Sequence, residues 1–116
     1  MVPFDLRKRI FDFVLKVISL VKDLPDSRIN RIFIDQIVRS ASSIGANYEE
    51  ADGSPTKKEF SYKMGIVKKE AKETKYWLQL IKVANEEKYA ENIDPLEAVN
   101  EELIRIISKI IINSSS

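Results

Sequence analysis

Residues 57–82 read KKEFSYKMGIVKKEAKETKYWLQLIK, and the apolar positions in this run decide the fold class. Phe60, Met64, Val67, Ala71, Thr74, Leu78 and Ile81 recur at alternating steps of four and three. That spacing places one side chain per turn on a single face of an α-helix. Just upstream, Thr56 followed three residues later by Glu59 fits a capping box, so a helix starts here. The same periodicity extends outward. Phe33, Ile37, Ala41, Ile44, Tyr48 and Ala51 form a stripe before it, and Leu6, Ile10, Phe13, Val17, Val21 and Leu24 one before that. Leu96, Val99, Leu103, Ile106 and Ile110 form one after it. Breaks fall at Leu24-Pro25-Asp26-Ser27, at Ala51-Asp52-Gly53-Ser54-Pro55 and around Asn92 to Pro95, since proline ends a helix and restrains its predecessor. Asp94-Pro95 with Glu97 supplies an N-cap, a proline at the first helical position and an acidic third position. The reading is four helices, at about 4–23, 27–51, 56–88 and 95–112, with Ser114, Ser115 and Ser116 frayed. Four apolar stripes on short connections predict an all-α, antiparallel up-down-up-down four-helix bundle, a single domain over 1–116.

Composition limits what such a bundle can do. The chain has 116 residues, 44% apolar and 32% charged, enough for one sizeable core. It contains no Cys, hence no disulfide, thiolate metal site or cysteine nucleophile. It also contains no His, the commonest general base near neutrality and the commonest transition-metal ligand. The carboxylate-plus-His iron sites of some bundles therefore cannot form in their usual way. These absences argue against an enzyme, and no cofactor or metal is expected. A net charge of +1 excludes a nucleic-acid binder that is basic throughout. Arg7, Lys8 and Arg9 precede an apolar run, but Asp12 and Lys16 interrupt it, so it is not a signal core. Leu103 to Ile112 contains Arg105 and Lys109, and falls far short of the roughly 20 apolar residues of a membrane helix. A cytoplasmic, soluble protein with no membrane partner is expected.

The faces beside the core carry more information. In the third helix Tyr62, Ile66, Trp77 and Leu80 form a second apolar face. Phe11, Leu15 and Ile18 are left over in the first helix, and Ile104, Ile107, Ile111 and Ile112 in the fourth. They are either a wide core-facing stripe or contacts between subunits, and self-association is the favoured reading. A third face carries Lys57, Lys68, Lys72, Lys75 and Lys82. Residues 54–90 hold nine Lys against five acidic residues, a net of +4, whereas 91–116 hold two basic and five acidic, a net of −3. Charge is thus segregated by helix. The lysines form either a solvated face or a strip that tracks phosphates, in which lysine displaces counterions without reading bases. Copies in a ring would multiply those contacts. On the second helix Gln36, Arg39, Ser40, Ser43, Asn47 and Glu50 align, and Arg39 can reach Glu70 or Glu73 to form an inter-helix polar network. Without a histidine, nucleophilic roles for Ser40 or Ser43 have no base behind them. Acids at i and i+3, such as Glu70 and Glu73, are too common on helices to define a metal site.

The run QIVRSASSIGANYEEA at 36–51, with Glu59-Phe60 and KEAKETKYWL at 69–78, closely resembles the bacterial four-helix bundle proteins known as 23S rRNA intervening-sequence proteins. The matching motifs cover the second and third helices, about half the chain. The resemblance implies a small antiparallel bundle assembled as a five-fold ring. It also implies kinship with the accessory variability protein of diversity-generating retroelements, which binds reverse transcriptase and contacts nucleic acid through basic surface. The family supplies no catalytic residues. Its motif positions correspond here to Arg39, Ser40, Ser43, Asn47, Glu50, Glu70 and Glu73, read as structure between helices. The expectation is a non-enzymatic homo-oligomer, a pentameric ring, binding structured nucleic acid, RNA in preference to DNA, through the lysines of the third helix. The alternative is a scaffold whose basic face docks an acidic or polymerase-type protein.

Overall fold

The computed structural model describes residues 5–114. Four helices account for most of them: α1 (Leu6–Asp23), α2 (Arg28–Asp52), α3 (Lys57–Ala84) and α4 (Ala90–Ser114), with a 3-10 turn at Glu87–Tyr89 before α4. No strand occurs among the described residues. Pairings across α2 and α3 run in opposite senses: Asn30 meets Asn85, Arg39 meets Glu73 and Glu50 meets Lys63. Lys75 meets Glu101, whereas Lys82 meets Asp94, so α3 and α4 are antiparallel too. Arg7 of α1 reaches Glu49 and Asp52 at the end of α2, and Arg9 closes the ring of helices on Glu102 of α4. The result is an up-down four-helix bundle measuring 45 × 21 × 19 Å, its length that of α3 at about 1.5 Å per residue.

The core follows the sequence stripes. Leu6, Ile10, Phe13, Val17, Ile37, Ala41, Ile44, Met64, Val67, Ala71, Leu78 and Ile81 are buried together. Ser27 and Thr56 cap α2 and α3, each hydroxyl accepting from the backbone N–H three residues on, at 3.0 and 3.1 Å. Phe4, where the sequence reading starts its first helix, and Ser115 and Ser116 of the expected frayed tail lie outside the described residues. Ser114 itself is helical and donates to the Ile110 carbonyl.

Two boundaries differ from the sequence reading. The third helix stops at Ala84 rather than near 88, because Asn85 adopts extended backbone and donates its side-chain amide to the Ile81 carbonyl. Asn85 and Asn30 also exchange amide hydrogen bonds of 2.9 and 3.0 Å, and Asn30 donates to the Pro25 carbonyl. This cluster ties the end of α3 to the α1–α2 turn. The fourth helix begins at Ala90, not at an N-cap on Asp94, and Pro95 lies inside it. The helix must extend upstream of the proline because Ile93 is fully buried. Proline there removes one N–H near the helix start, and its exposed ring faces solvent. The α4 stripe is also shifted. Ile93, Leu96, Asn100, Leu103, Ile107 and Ile110 are buried, so Asn100 and Ile107 take the places assigned to Val99 and Ile106. Ile107 therefore belongs to the core and not to a second face. Asn100 is tolerated there because its amide donates to the Ala71 carbonyl at 2.9 Å.

Candidate nucleic-acid interface

The α2–α3 seam is organised by small polar residues. Ser40 and Thr74 are fully buried with their hydroxyl oxygens 2.8 Å apart. Thr74 also reaches back to the Glu70 carbonyl at 2.8 Å and Ser40 to the Ile37 carbonyl at 3.3 Å, each within its own helix. Arg39 spans the same seam, bonding Glu70 through one terminal nitrogen at 3.4 Å and Glu73 through the other. The indole N–H of Trp77 donates to the same Glu73 oxygen at 3.1 Å. That bond, and then the Arg39 guanidinium, hold the Glu73 carboxyl below the ordinary carboxylate range. Glu50 pairs with Lys63 at 2.7 Å. Asn47 donates to the Ser43 carbonyl in its own helix, and neither Asn47 nor Ser43 makes a cross-helix hydrogen bond among the described residues. Both acids at i and i+3 are thus engaged by Arg39. No three Asp or Glu side chains converge on a possible cation position among the described residues.

The five lysines singled out from sequence divide into two groups. Lys75 pairs with Glu101 at 2.8 Å, and Lys82 pairs with Asp94 at 2.6 Å and lies 3.6 Å from Glu97. The −3 of the fourth segment is therefore spent partly on the +4 of the third, along the α3–α4 seam. The Lys75 contact lowers the Glu101 pKa, and the Asp94 contact raises that of Lys82. Lys57, Lys68 and Lys72 have no carboxylate within 4 Å among the described residues, and neither do Lys58 and Lys69, which sequence reasoning passed over. With Lys63, Lys75 and Lys82 paired and Glu70 and Glu73 held by Arg39, α3 is left with five lysines and the one acid Glu59 outside any ion pair among the described residues, and Lys58, Lys69 and Lys72 of these lie on its outer side.

The second apolar face also divides. Trp77 is half-buried, 5.9 Å from the Phe33 ring and edge-on to Tyr76 at 5.4 Å. Ile66 and Leu80 are half-buried on the same side, while Tyr62 is 68% exposed. The register of Asn30 on Asn85 and Phe33 on Trp77 sets Ile29 and Ile32 of α2 at the same level along the bundle as Leu80 and Val83 of α3. Ile29 and Ile32 are each half-exposed, and Val83 is 84% exposed. Phe11 and Leu15 of α1 form a separate exposed pair. Near them an open depression of about 430 Å³ is lined by Asp5, Arg7, Lys8, Phe11, Tyr48, Glu49 and Asp52, and Arg7 already ties Glu49 and Asp52 across it.

Fold and seam together define a class, the small antiparallel four-helix bundles with a polar lock between their two central helices. The family model described as 23S rRNA-intervening sequence protein matches residues 4–109, and the chain belongs to that family. A solved structure of a protein of unknown function from the S23 ribosomal protein family of Bacteroides thetaiotaomicron is similar. It is 29% identical, covers 92% of this chain and 98% of its own, and superposes with a TM-score of 0.82. No curated protein matches the chain. No helix among the described residues is long and apolar enough to cross a membrane.

Proposed function

We propose that this chain is a non-enzymatic homo-oligomeric bundle, a five-membered ring, that binds structured nucleic acid, RNA in preference to DNA, through the basic side of α3. The observation that carries this reading is the set of lysines there with no carboxylate within 4 Å among the described residues, while neighbouring acids are committed to other cations. Lysines so placed neutralise phosphates and release counterions. Self-association uses Trp77 and Leu80 with the exposed Ile29, Ile32 and Val83, because a contiguous apolar patch at a surface marks a contact site.

The test is native mass by light scattering, with the 260/280 nm absorbance ratio read on the same peak. At 13.4 kDa per chain a ring of five has five times that mass, 67 kDa. Ile32→Glu with Val83→Glu should give a smaller, equally helical species, since neither side chain is fully buried. A wild-type species of 13.4 kDa would overturn the ring. The second reading, docking of an acidic or polymerase-type protein, is favoured by the exposed apolar patch beside the lysines. It predicts a complex with an acidic protein that survives nuclease treatment.

A further inference from the structure

The core heptad of α3 has an outward complement. Lys58, Tyr62, Gly65, Lys69, Lys72 and Tyr76 recur at steps of 4, 3, 4, 3 and 4, and all six are exposed. Tyr62 and Tyr76 are 68% and 55% exposed, large for aromatic side chains of a folded domain. They stand 14 residues apart on one helix, about 21 Å at the α-helical rise. Between them, Lys69 and Lys72 have no carboxylate within 4 Å among the described residues. Their fields reach Glu73 and Glu101, which are already bonded to Arg39 and Trp77 and to Lys75.

Gly65 sits on this strip, in the interior of a 28-residue helix where glycine is the poorest residue after proline. Apart from its chain neighbours and the backbone of its own helix, no heavy atom lies within 4 Å of where its Cβ would be, so no packing contact requires the missing side chain. A bare backbone position on an outer face allows close approach of something from outside.

We infer that this outer face of α3 is a platform for an unpaired segment of RNA, with bases stacked on Tyr62 and Tyr76, phosphates met by Lys58, Lys69 and Lys72, and the strand passing close over Gly65. The inference rests on the nucleic-acid reading above and specifies its ligand. Aromatic faces interleaved with lysine recognise single strands, because every unstacked base offers a π face, whereas a duplex hides its bases from such a surface.

The probes are a fluorescent 12-nucleotide oligo(U) and an RNA hairpin whose paired stem is closed by a loop of about four nucleotides, too short to offer an extended unpaired strand, measured by anisotropy against the oligomer as purified. Tyr62→Ala with Tyr76→Ala should weaken oligo(U) binding by about fivefold or more per tyrosine, while the Phe pair stays within about twofold, because the ring is what stacks. Hairpin affinity and native mass should not change. Oligo(U) should also quench Trp77, the one tryptophan in the chain, through its edge contact with Tyr76. Gly65→Leu should raise the melting midpoint by about 4 °C, since leucine is the better helix former, and yet weaken oligo(U) binding. Oligo(U) affinity unchanged in the Ala pair overturns the inference. Binding of the hairpin alone overturns it while sparing the broader reading, and binding of neither RNA overturns both.

Discussion

Two lysine pairs on α3 have the same formal charge and opposite surroundings, and comparing them tests the proposed interface directly. Lys69→Gln with Lys72→Gln and Lys75→Gln with Lys82→Gln each take the net charge from +1 to −1. Lys75 and Lys82 are held by Glu101 and Asp94 across the α3–α4 seam, so a phosphate would have to displace a carboxylate to reach them. Lys69 and Lys72 have no such partner within 4 Å among the described residues. Each single-strand phosphate contact contributes about 0.7 to the slope of log affinity against log salt. Losing two contacts therefore lowers the slope by about 1.4, which costs about 70-fold in affinity at 50 mM salt and about tenfold at 200 mM. The assay is anisotropy titration of labelled RNA at four or five salt concentrations. The outer pair should show the full loss and the flatter slope, and the seam pair less than about threefold. Equal losses from the two pairs would mean that net charge alone governs binding, and the argument from carboxylate pairing would fail.

Two further outcomes follow from the seam and the core. Glu73 has its pKa lowered by the Trp77 and Arg39 bonds from a reference of 4.5. The stability it contributes is present above 4.5 and is lost as pH falls through the lower folded value; urea unfolding of Glu73→Gln should therefore show a shallower decline on that acid limb, and an unchanged limb would contradict the assignment. Asn100 is fully buried, with its amide on the Ala71 carbonyl and its carbonyl oxygen without a hydrogen-bond partner among the described residues. Asn100→Asp places an uncompensated carboxylate there and should cost about 3–5 kcal/mol at pH 7, partly recovered as the pH is lowered; a loss below about 1 kcal/mol would show that water reaches the site.

The periodicity of α1, α2 and α3, the cap at Thr56 and the bundle itself were legible because they depend on local spacing. A side chain every three or four residues must share a face whatever the neighbours are. The reach of Arg39 to Glu70 and Glu73 was legible on the same ground, once the two helices were taken as adjacent and antiparallel. The start of α4 was not legible, because Asp94-Pro95 is a sound local start signal that burial of Ile93 overrules. Asn100 was missed because an apolar count skips a polar residue, and only the Ala71 carbonyl on the facing helix makes its burial tolerable. On α3, the step pattern of Lys58, Tyr62, Gly65, Lys69, Lys72 and Tyr76 was present in the sequence all along.

What the sequence by itself determined is which residues share a helix face, because a 3.6-residue turn permits no other arrangement. Which of the faces beside the core meets carboxylates and which is left to solvent was decided by tertiary structure alone. Lys68 and Lys75 stand seven residues apart on one stripe, yet only Lys75 has a carboxylate within 4 Å, Glu101 of α4. Ion pairing depends on distance across helices, and that distance exists only once the bundle has closed.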